Sequence, residues 1–175
     1  HIYPAIAIAD ELLKEKDTVY YVGNPNNMEY GITQKKGYSF LPVKVSAMPR
    51  KISLSFIGWS IQLGLAVLKS LFYINKYKPD AILGTGGYVS APALIAGLLT
   101  KTPIMIHDCD AIPGIVSRNI APKAQRVSLA FEKALELKND EETKKQLASV
   151  YVNAGNYDIS NSKFDEAIKK YQKAL

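Results

Sequence analysis

Two short segments of the sequence contain residue types that bind phosphates and move protons. The first, residues 84–90, reads Gly-Thr-Gly-Gly-Tyr-Val-Ser and lies between an apolar run and a helical one. A glycine loop in that position aims backbone N–H groups and a helix dipole at an anion. The same glycines also suit a tight strand–helix turn without a ligand, so both interpretations stay open on these residues alone.

The second segment, residues 107–110, reads His-Asp-Cys-Asp and follows the next apolar run. An imidazole beside carboxylates suits general acid–base chemistry. A metal site is disfavoured, because alternate side chains of an extended segment point to opposite faces and cannot all converge on one ion. Asp110 also precedes Ala-Ile-Pro-Gly at 111–114 and could instead cap a helix there. We therefore predict no metal and no cofactor.

The composition is that of a chain that buries a core. Of its 175 residues, 47% are hydrophobic, and the single cysteine, Cys109, offers no disulfide framework, which suits a reducing compartment. The net charge is +6, and the whole excess lies in residues 1–138. A basic surface favours anionic partners. Because the sequence contains no zinc-finger spacing and no basic recognition helix, nucleic acid is not an expected partner.

Short apolar strands alternate with helices along the first part of the chain. Strands are predicted at 18–22, 38–45, 81–84, 103–107 and 126–130, and helices at 4–16, 51–77, 91–99 and 112–121. This alternation is typical of parallel sheets, because each crossover needs a helix to return the chain to the same edge. The predicted fold class is α/β, with an open doubly wound parallel sheet that binds ligands at the carboxyl ends of its strands.

A second domain is predicted after residue 135, where the pattern becomes purely helical. The segment 153–175 resembles a tetratricopeptide repeat, whose paired helices keep small and aromatic residues at fixed offsets. The matching residues are Gly155, Phe164, Ala167, Tyr171, Ala174 and Leu175. We predict an α/β domain over 1–135, truncated at its start, and an incomplete all-α helical-repeat tail over 136–175 that could bind a protein partner.

The motifs read in order resemble the amino-terminal domain of the MurG family of bacterial N-acetylglucosaminyltransferases. They are His-Ile-Tyr-Pro-Ala at 1–5, Lys-Pro-Asp-Ala-Ile-Leu-Gly at 78–84, Gly-Gly-Tyr-Val-Ser at 86–90 and His-Asp-Cys-Asp-Ala-Ile-Pro-Gly at 107–114. The resemblance implies one Rossmann-like half of a two-domain GT-B enzyme. It further implies inverting transfer of GlcNAc from UDP-GlcNAc to lipid I, which forms lipid II for peptidoglycan and so serves cell shape and division.

The resemblance also implies roles for individual residues. The family's first glycine loop ends in a His, which is present here as His1, and the catalytic groups implied are His1 and Asp108. The residues implied to contact the acceptor and its diphosphate are Gly86, Gly87, Tyr88, Ser90, His107 and Asp110. The family usually has His-Glu-Gln-Asn at 107–110. Asp108 retracts the acid by one methylene, and Asp110 replaces an amide donor with a charge, so we expect weakened catalysis.

A run of 17 uncharged residues, 52–68, could contact a membrane. A spanning helix needs ~20 apolar residues, and serines and a glutamine interrupt this run. Two alternatives stay open, a core helix buried by the sheet and an interfacial patch that inserts shallowly into anionic lipid. The resemblance implies the second, on the cytoplasmic face of the bacterial inner membrane as a peripheral protein. The predicted membrane contacts are Arg50, Lys51, Ile57, Trp59 and Ile61.

Two functions are compatible with the sequence. The first is an enzyme fragment that holds the acceptor but does not catalyse transfer as given, because both substrates must be fixed in reacting geometry and the family binds the sugar donor mainly with a second domain. The second is a non-catalytic interaction module that keeps the α/β domain as a scaffold and binds a partner through the tail. Sequence beyond Leu175 would discriminate between them.

Overall fold

The computed structural model describes residues 1–49, 54–110 and 113–129. The predicted helical-repeat tail, residues 136–175, lies outside the described residues, so the tail and its protein partner stay predictions. Arg50 and Lys51 also lie outside them.

Helices and strands alternate along the described chain. The helices are α1 (Ile2–Lys14), α2 (Met28–Lys35), α3 (Leu54–Tyr77), α4 (Ala91–Thr100) and α5 (Ile115–Ile120), and the strands are β1 (Tyr20–Gly23), β2 (Ser39–Pro42), β3 (Ile82–Gly84), β4 (Ile104–Asp108) and β5 (Arg126–Leu129). Short 3-10 turns cover Tyr88–Ser90 and Ala121–Lys123. Each predicted strand is present, which confirms the α/β class. Helix α2 was not predicted, because its eight residues carry no clear apolar periodicity.

All described strand pairs are parallel. Strand β1 pairs with β2, and β3, β4 and β5 pair in chain order, with Gly84 opposite Ile106 and His107 opposite Ser128. The described strands form two sheets, whereas one continuous sheet was expected. The parallel pairing and the α/β class are as predicted, and among the described strands β1–β2 and β3–β4–β5 are hydrogen-bonded as separate groups.

The larger sheet is held by an apolar cluster between β4, β5, α4 and α5. Its fully buried members include Leu94, Ile104, Ile106 and Val127, which are 1–2% exposed. Helix α4 lies close to the strands at Gly97, where a β-carbon would come within 2.8 Å of the Ile82 side chain. The glycine therefore sets the distance between the helix and the sheet, and with it the position of the loop that precedes α4.

A second cluster ties α1 to the end of α2 and the start of β2. Ile6 and Ala9 pack against the ring of Tyr38. The Tyr38 hydroxyl donates a hydrogen bond to Asp10, and the Lys36 ammonium donates to the same carboxylate at 2.6 Å. The bonds from Lys36 and Tyr38 hold the pKa of Asp10 below its usual value. These contacts fix α1, whose N-cap residue is His1.

Helix α3 has one packed face and one exposed face. Ala66 is buried against Val43 and Val45, and the Tyr73 hydroxyl donates to the carbonyl of Pro42 at 3.1 Å. The helix also packs against α4. Among the described helices only this one, over Ser55–Tyr77, is long and apolar enough to cross a membrane. One face of the helix packs on the domain, but most of the helix is exposed, so it is not the core helix buried by the sheet that one alternative expected.

Candidate functional site

The glycine loop after β3 has backbone dihedral angles that disfavour any residue other than glycine. Gly86 and Gly87 have φ of 88° and 73°, in the left-handed region. The Ser90 hydroxyl donates to the carbonyl of Gly87 at 2.8 Å and closes the turn that leads into α4. A glycine loop is thereby fixed directly ahead of a helix N-terminus, which is an arrangement suited to an anion.

His1 is bound to this loop by a reciprocal pair of hydrogen bonds. Its Nδ1 lies 2.9 Å from the carbonyl oxygen of Thr85, and the Thr85 hydroxyl donates to the His1 carbonyl at 2.8 Å. Because a carbonyl oxygen only accepts, Nδ1 must carry the proton. In the neutral ring Nε2 then keeps its lone pair and can accept a proton from a bound hydroxyl.

The His1 ring lies directly on the two glycines. A β-carbon at Gly86 would come within 2.8 Å of Nδ1, and one at Gly87 within 3.3 Å of Cδ2. Glycine is therefore required at both positions for two reasons. It adopts the positive φ, and its lack of a β-carbon leaves the space that the imidazole occupies. The histidine is thus both packed on the loop and hydrogen-bonded to it.

Two side chains from the loop after β4 complete the group around His1. The Asp110 carboxylate lies 3.5 Å from Nε2, and the Cys109 sulfur lies 3.5 Å from Nδ1. When the imidazole is protonated, Asp110 makes an ion pair with it. Since the His1 and Asp110 side chains are 39% and 46% exposed, solvent screens this pair and a ligand can reach it.

The same three side chains are candidate metal ligands. Their nearest donor atoms lie within 4.8 Å of one another. Segment 107–110 was expected not to converge on one ion by itself, and here Cys109 and Asp110 converge with His1, which is distant in sequence. A closed structural zinc site takes four protein ligands, one more than the described residues offer at this place. We assign no metal to the group.

His107 and Asp108 are consecutive residues of β4, so their side chains lie on opposite faces of the strand. The His107 Nδ1 lies 3.2 Å from the hydroxyl of Ser128, its neighbour on β5. Burial lowers the pKa of His107, and the nearby Asp108 carboxylate offsets part of that effect. Asp108 is 1% exposed, and its Oδ1 accepts the backbone N–H of Asp110 at 2.9 Å. Asp108 thus shapes the turn that presents Asp110, and its catalytic role stays a prediction.

Residues 1–129 match the model of the glycosyltransferase family 28 N-terminal domain. The chain belongs to this family. The match ends where β5 ends, so it covers the described part of the molecule and none of the predicted tail.

Curated relatives are similar over the same region. The chain is 35% identical over 134 residues to the UDP-N-acetylglucosamine--N-acetylmuramyl-(pentapeptide) pyrophosphoryl-undecaprenol N-acetylglucosamine transferase of Halothermothrix orenii, covering 77% of this chain and 36% of the relative. It is 37% identical over 132 residues to the same transferase of Psychrobacter arcticus, covering 75% of this chain and 37% of the relative. The chain therefore spans little more than a third of the length of these relatives.

A solved structure has the same fold. The crystal structure of Acinetobacter baumannii MurG superposes with a TM-score of 0.66 at 25% identity, over 75% of this chain and 38% of that one. This confirms the Rossmann-like half of a GT-B transferase as the fold of the family 28 domain. The resemblance noted in the sequence is confirmed together with it.

Other residues at the carboxyl edge were not predicted as part of the family 28 site. Thr85 binds His1, Cys109 contacts its ring, and the Asn27 side chain donates to the hydroxyl of Tyr88 at 3.4 Å. Tyr88 itself is 39% exposed beside the loop. Asn27 was missed although the rule that ligands bind at carboxyl ends of parallel strands would have indicated the loop after β1.

Three of the predicted membrane contacts, Ile57, Trp59 and Ile61, lie on α3, whereas Arg50 and Lys51 lie outside the described residues. Ile57 and Ile61 are 57% and 61% exposed. The Trp59 side chain is half-buried, and its indole N–H donates to the carbonyl of Ser46 at 3.0 Å. The indole thus fastens the start of α3 to the preceding segment, while the exposed ridge continues along the helix. Its members are Ile57, Ile61, Leu65, Leu68 and Phe72.

Proposed function

We propose that residues 1–129 form the acceptor-binding half of an N-acetylglucosaminyltransferase that transfers GlcNAc from UDP-GlcNAc to lipid I, forming lipid II with inversion at the anomeric carbon. One observation carries the proposal. The proton-accepting Nε2 of His1 lies beside a glycine loop and a helix N-terminus, in a domain of family 28. The relatives' names support the choice of substrates.

In this mechanism the acceptor diphosphate occupies the loop of Gly86 and Gly87, with Tyr88 and Ser90 at its rim. The acceptor hydroxyl faces Nε2 of His1. As the hydroxyl oxygen attacks the anomeric carbon, its proton passes to Nε2 and the bond from that carbon to UDP breaks. The Asp110 carboxylate, 3.5 Å from Nε2, stabilises the imidazolium that results.

The described geometry favours His1 over Asp108 as the base. A general base must come within hydrogen-bond reach of the hydroxyl, and Asp108 is 1% exposed with one oxygen engaged by the Asp110 N–H. Asp108 instead positions Asp110. His107 supports the loop after β4 through the contact between its ring and the Ser128 hydroxyl on β5.

We propose that the chain by itself binds acceptor without turnover. Fixing both substrates can lower a barrier by ~7–11 kcal/mol, and a sugar nucleotide also needs preorganised donors at its departing diphosphate. The described residues form one such anion site, at the loop before α4. The donor is therefore proposed to need residues other than the described ones.

We further propose peripheral attachment to the cytoplasmic face of the inner membrane through the exposed ridge of α3. The ridge runs along the helix opposite the packed residue Ala66, and Lys69 and Lys76 flank it. An apolar strip with basic neighbours inserts shallowly and attracts anionic headgroups. Arg50 and Lys51, which precede α3 in the sequence, would add to that attraction.

Calorimetry of the full chain tests the acceptor site. We expect binding of a short-chain lipid I analogue, competition by inorganic pyrophosphate, and no binding of UDP-GlcNAc. Gly86→Ala should abolish acceptor binding because the new β-carbon displaces His1. Binding of UDP-GlcNAc without the acceptor would mean that this is a donor half, and absence of both would favour the interaction module.

Turnover is tested in a chimera in which residues 1–129 replace the matching segment of the Psychrobacter arcticus relative. We expect transfer by the chimera and its loss in His1→Asn, because asparagine can still donate to the Thr85 carbonyl but offers no proton acceptor at the place of Nε2. Unchanged turnover in His1→Asn would remove His1 from the mechanism, while retained acceptor binding would show that the loop is intact.

A further inference from the structure

Three metal-ligating side chains meet beside the carboxyl ends of β3 and β4. They are the imidazole of His1 at the N-cap of α1, and the thiol of Cys109 and the carboxylate of Asp110 in the loop after β4. One donor atom from each side chain lies within 4.8 Å of the other two. A nitrogen, a sulfur and an oxygen donor are ligand types that zinc takes in proteins.

The spacing of the three donor atoms is close to that around a tetrahedral ion. Zinc bonds of about 2.0–2.3 Å that meet at the tetrahedral angle place neighbouring donors about 3.3–3.6 Å apart. The Asp110 oxygen and Nε2 of His1 already have this separation, at 3.5 Å, and no pair has to close from more than 4.8 Å. The His1 and Asp110 side chains are 39% and 46% exposed, so a change of rotamer can supply the remaining movement.

The hydrogen bonds of His1 leave the ring nitrogen that faces Asp110 available to an ion. Nδ1 lies 2.9 Å from the Thr85 carbonyl oxygen and carries the proton, so Nε2 keeps its lone pair. A metal-ligating histidine usually donates its other ring N–H to a carbonyl or carboxylate, which fixes the tautomer and the orientation of the ring. The Thr85 carbonyl provides this second bond, and the ring also packs on Gly86. The imidazole is therefore oriented as a ligand before an ion arrives.

The number and type of the ligands indicate which ion the group can take. Three protein ligands are too few for a closed structural site, but they are the number that an open zinc site uses, with water in the fourth position. The thiolate of Cys109 selects zinc and other soft cations over magnesium and calcium, which prefer oxygen donors. The group therefore suits an ion taken up reversibly from solution and not a resident cofactor.

We propose that His1, Cys109 and Asp110 capture one Zn²⁺ ion from solution and that the bound ion inhibits transfer. The ion takes the lone pair of Nε2, which is the proton acceptor of the proposed mechanism. It also takes the Asp110 carboxylate, which would otherwise stabilise the imidazolium. The inhibition rests on the proposed function, whereas the binding of the ion does not.

Binding is tested on the full chain with Gly-Ser-Gly-Ser-Gly placed ahead of His1, so that no α-amino group adjoins the imidazole. Calorimetry with zinc chloride should give one ion per chain, and Co²⁺ should give the charge-transfer absorption of a thiolate–cobalt bond. Cys109→Ala should remove that absorption. Cys109→Ala and Asp110→Asn should each weaken zinc binding at least about tenfold, since even the loss of an outer-shell partner costs about 10–100-fold. Asp80→Asn, an exposed carboxylate ahead of β3, is the control and should bind zinc as before.

A second measurement needs no substitution and so does not depend on the folding of a variant. Cys109 is the single cysteine of the chain, and a zinc-bound thiolate is shielded from alkylation. Zinc chloride should therefore slow the reaction of iodoacetamide with the chain at least about tenfold, and EDTA should restore the rate. Unchanged alkylation would overturn the proposal, and so would zinc binding that both Cys109→Ala and Asp110→Asn leave intact.

Inhibition is tested in the chimera proposed above for turnover. Zinc chloride should inhibit transfer, EDTA should reverse the inhibition, and Cys109→Ala should raise the zinc concentration needed at least about tenfold. Zinc bound by the three side chains with no effect on turnover would overturn the inhibition. A chimera that is inactive without zinc would count against the proposed function alone, because the cobalt absorption and the alkylation rate do not depend on turnover.

Discussion

The imidazole of His1 lies on the Cα of Gly86, where a β-carbon would come within 2.8 Å of Nδ1. The residues are far apart in sequence, since His1 is the N-cap of α1 and Gly86 lies in the loop after β3. The contact leaves Nε2 directed toward Asp110, 3.5 Å away. The glycine thus positions the proposed base as well as forming the proposed phosphate loop.

Gly86→Ala should destabilise the domain by ~1–3 kcal/mol, because alanine resists the positive φ and its β-carbon meets the His1 ring. Gly64→Ala is the matched control on the exposed side of α3, where a β-carbon meets nothing within 4 Å. It should stabilise by ~0.5–1 kcal/mol through helix propensity. Urea unfolding measures both, and equal effects of the same sign would contradict the packing of His1 on the loop.

Leu94→Ala should cost ~2–5 kcal/mol, because the side chain fills the core between α4 and the larger sheet and leaves a cavity. Leu94 is 1% exposed, whereas Leu99 on the same helix is 65% exposed. Leu99→Ala should therefore change stability by less than ~0.5 kcal/mol. Denaturant midpoints of the two variants give the comparison, and a Leu94→Ala protein as stable as Leu99→Ala would place α4 elsewhere.

The stability of the domain should fall as the pH decreases below 6.5, the ordinary pKa of histidine, because burial lowers the pKa of His107. Below that pH the unfolded chain binds a proton more readily than the folded chain does, so the free energy of unfolding decreases. The loss continues until the pH passes the folded-state pKa. His107→Gln should flatten the stability profile in this window, measured by unfolding at a series of pH values, and an unchanged slope would show that His107 stays solvated.

Asp10→Asn should destabilise the domain at neutral pH and have a diminishing effect as the pH falls below 3.8, the ordinary pKa of aspartate. The carboxylate is stabilised by Lys36 and Tyr38 in the folded state, so its contribution is present above that value and lost as it protonates. Asp80→Asn, in the exposed loop ahead of β3, is the control. A difference between wild type and Asp10→Asn that persists at pH 2 would rule out the ion pair as its cause.

Replacing Ile61 and Leu65 together by serine should weaken binding to anionic phospholipid vesicles by roughly thirtyfold, since two inserted aliphatic side chains contribute about 2 kcal/mol when they are only shallowly buried. These side chains are 61% and 63% exposed, so the fold should keep its melting temperature. Asn75→Ala on an exposed position of the same helix is the control.

Reversing the charge of Arg50 and Lys51 should reduce the same binding at low salt and have less effect at high salt, because salt screens attraction to the headgroups. Vesicle sedimentation at two salt concentrations measures both variants. Unchanged sedimentation of both would end the proposal that this face meets lipid.

The strands, their parallel pairing and the position of the glycine loop followed from the sequence, because each depends on a local pattern. The apolar runs before Gly84 and His107, each followed by a helical segment, predict parallel strands wherever the rest of the chain lies. The glycines at 86 and 87 likewise predict a loop with positive φ from their own conformational freedom. These features needed no knowledge of distant contacts.

Only the tertiary structure decided which side chains meet at the site and where the sheet is interrupted. The pattern of segment 107–110 cannot show that Cys109 and Asp110 reach His1 while His107 turns to Ser128, because those contacts depend on how two strand ends and the start of α1 are placed. In the same way, the apolar residue patterns of β1 and β3 are compatible with one sheet and with two. Strand periodicity fixes which residues face a helix layer, whereas the neighbour across an edge is set by backbone packing between segments remote in sequence.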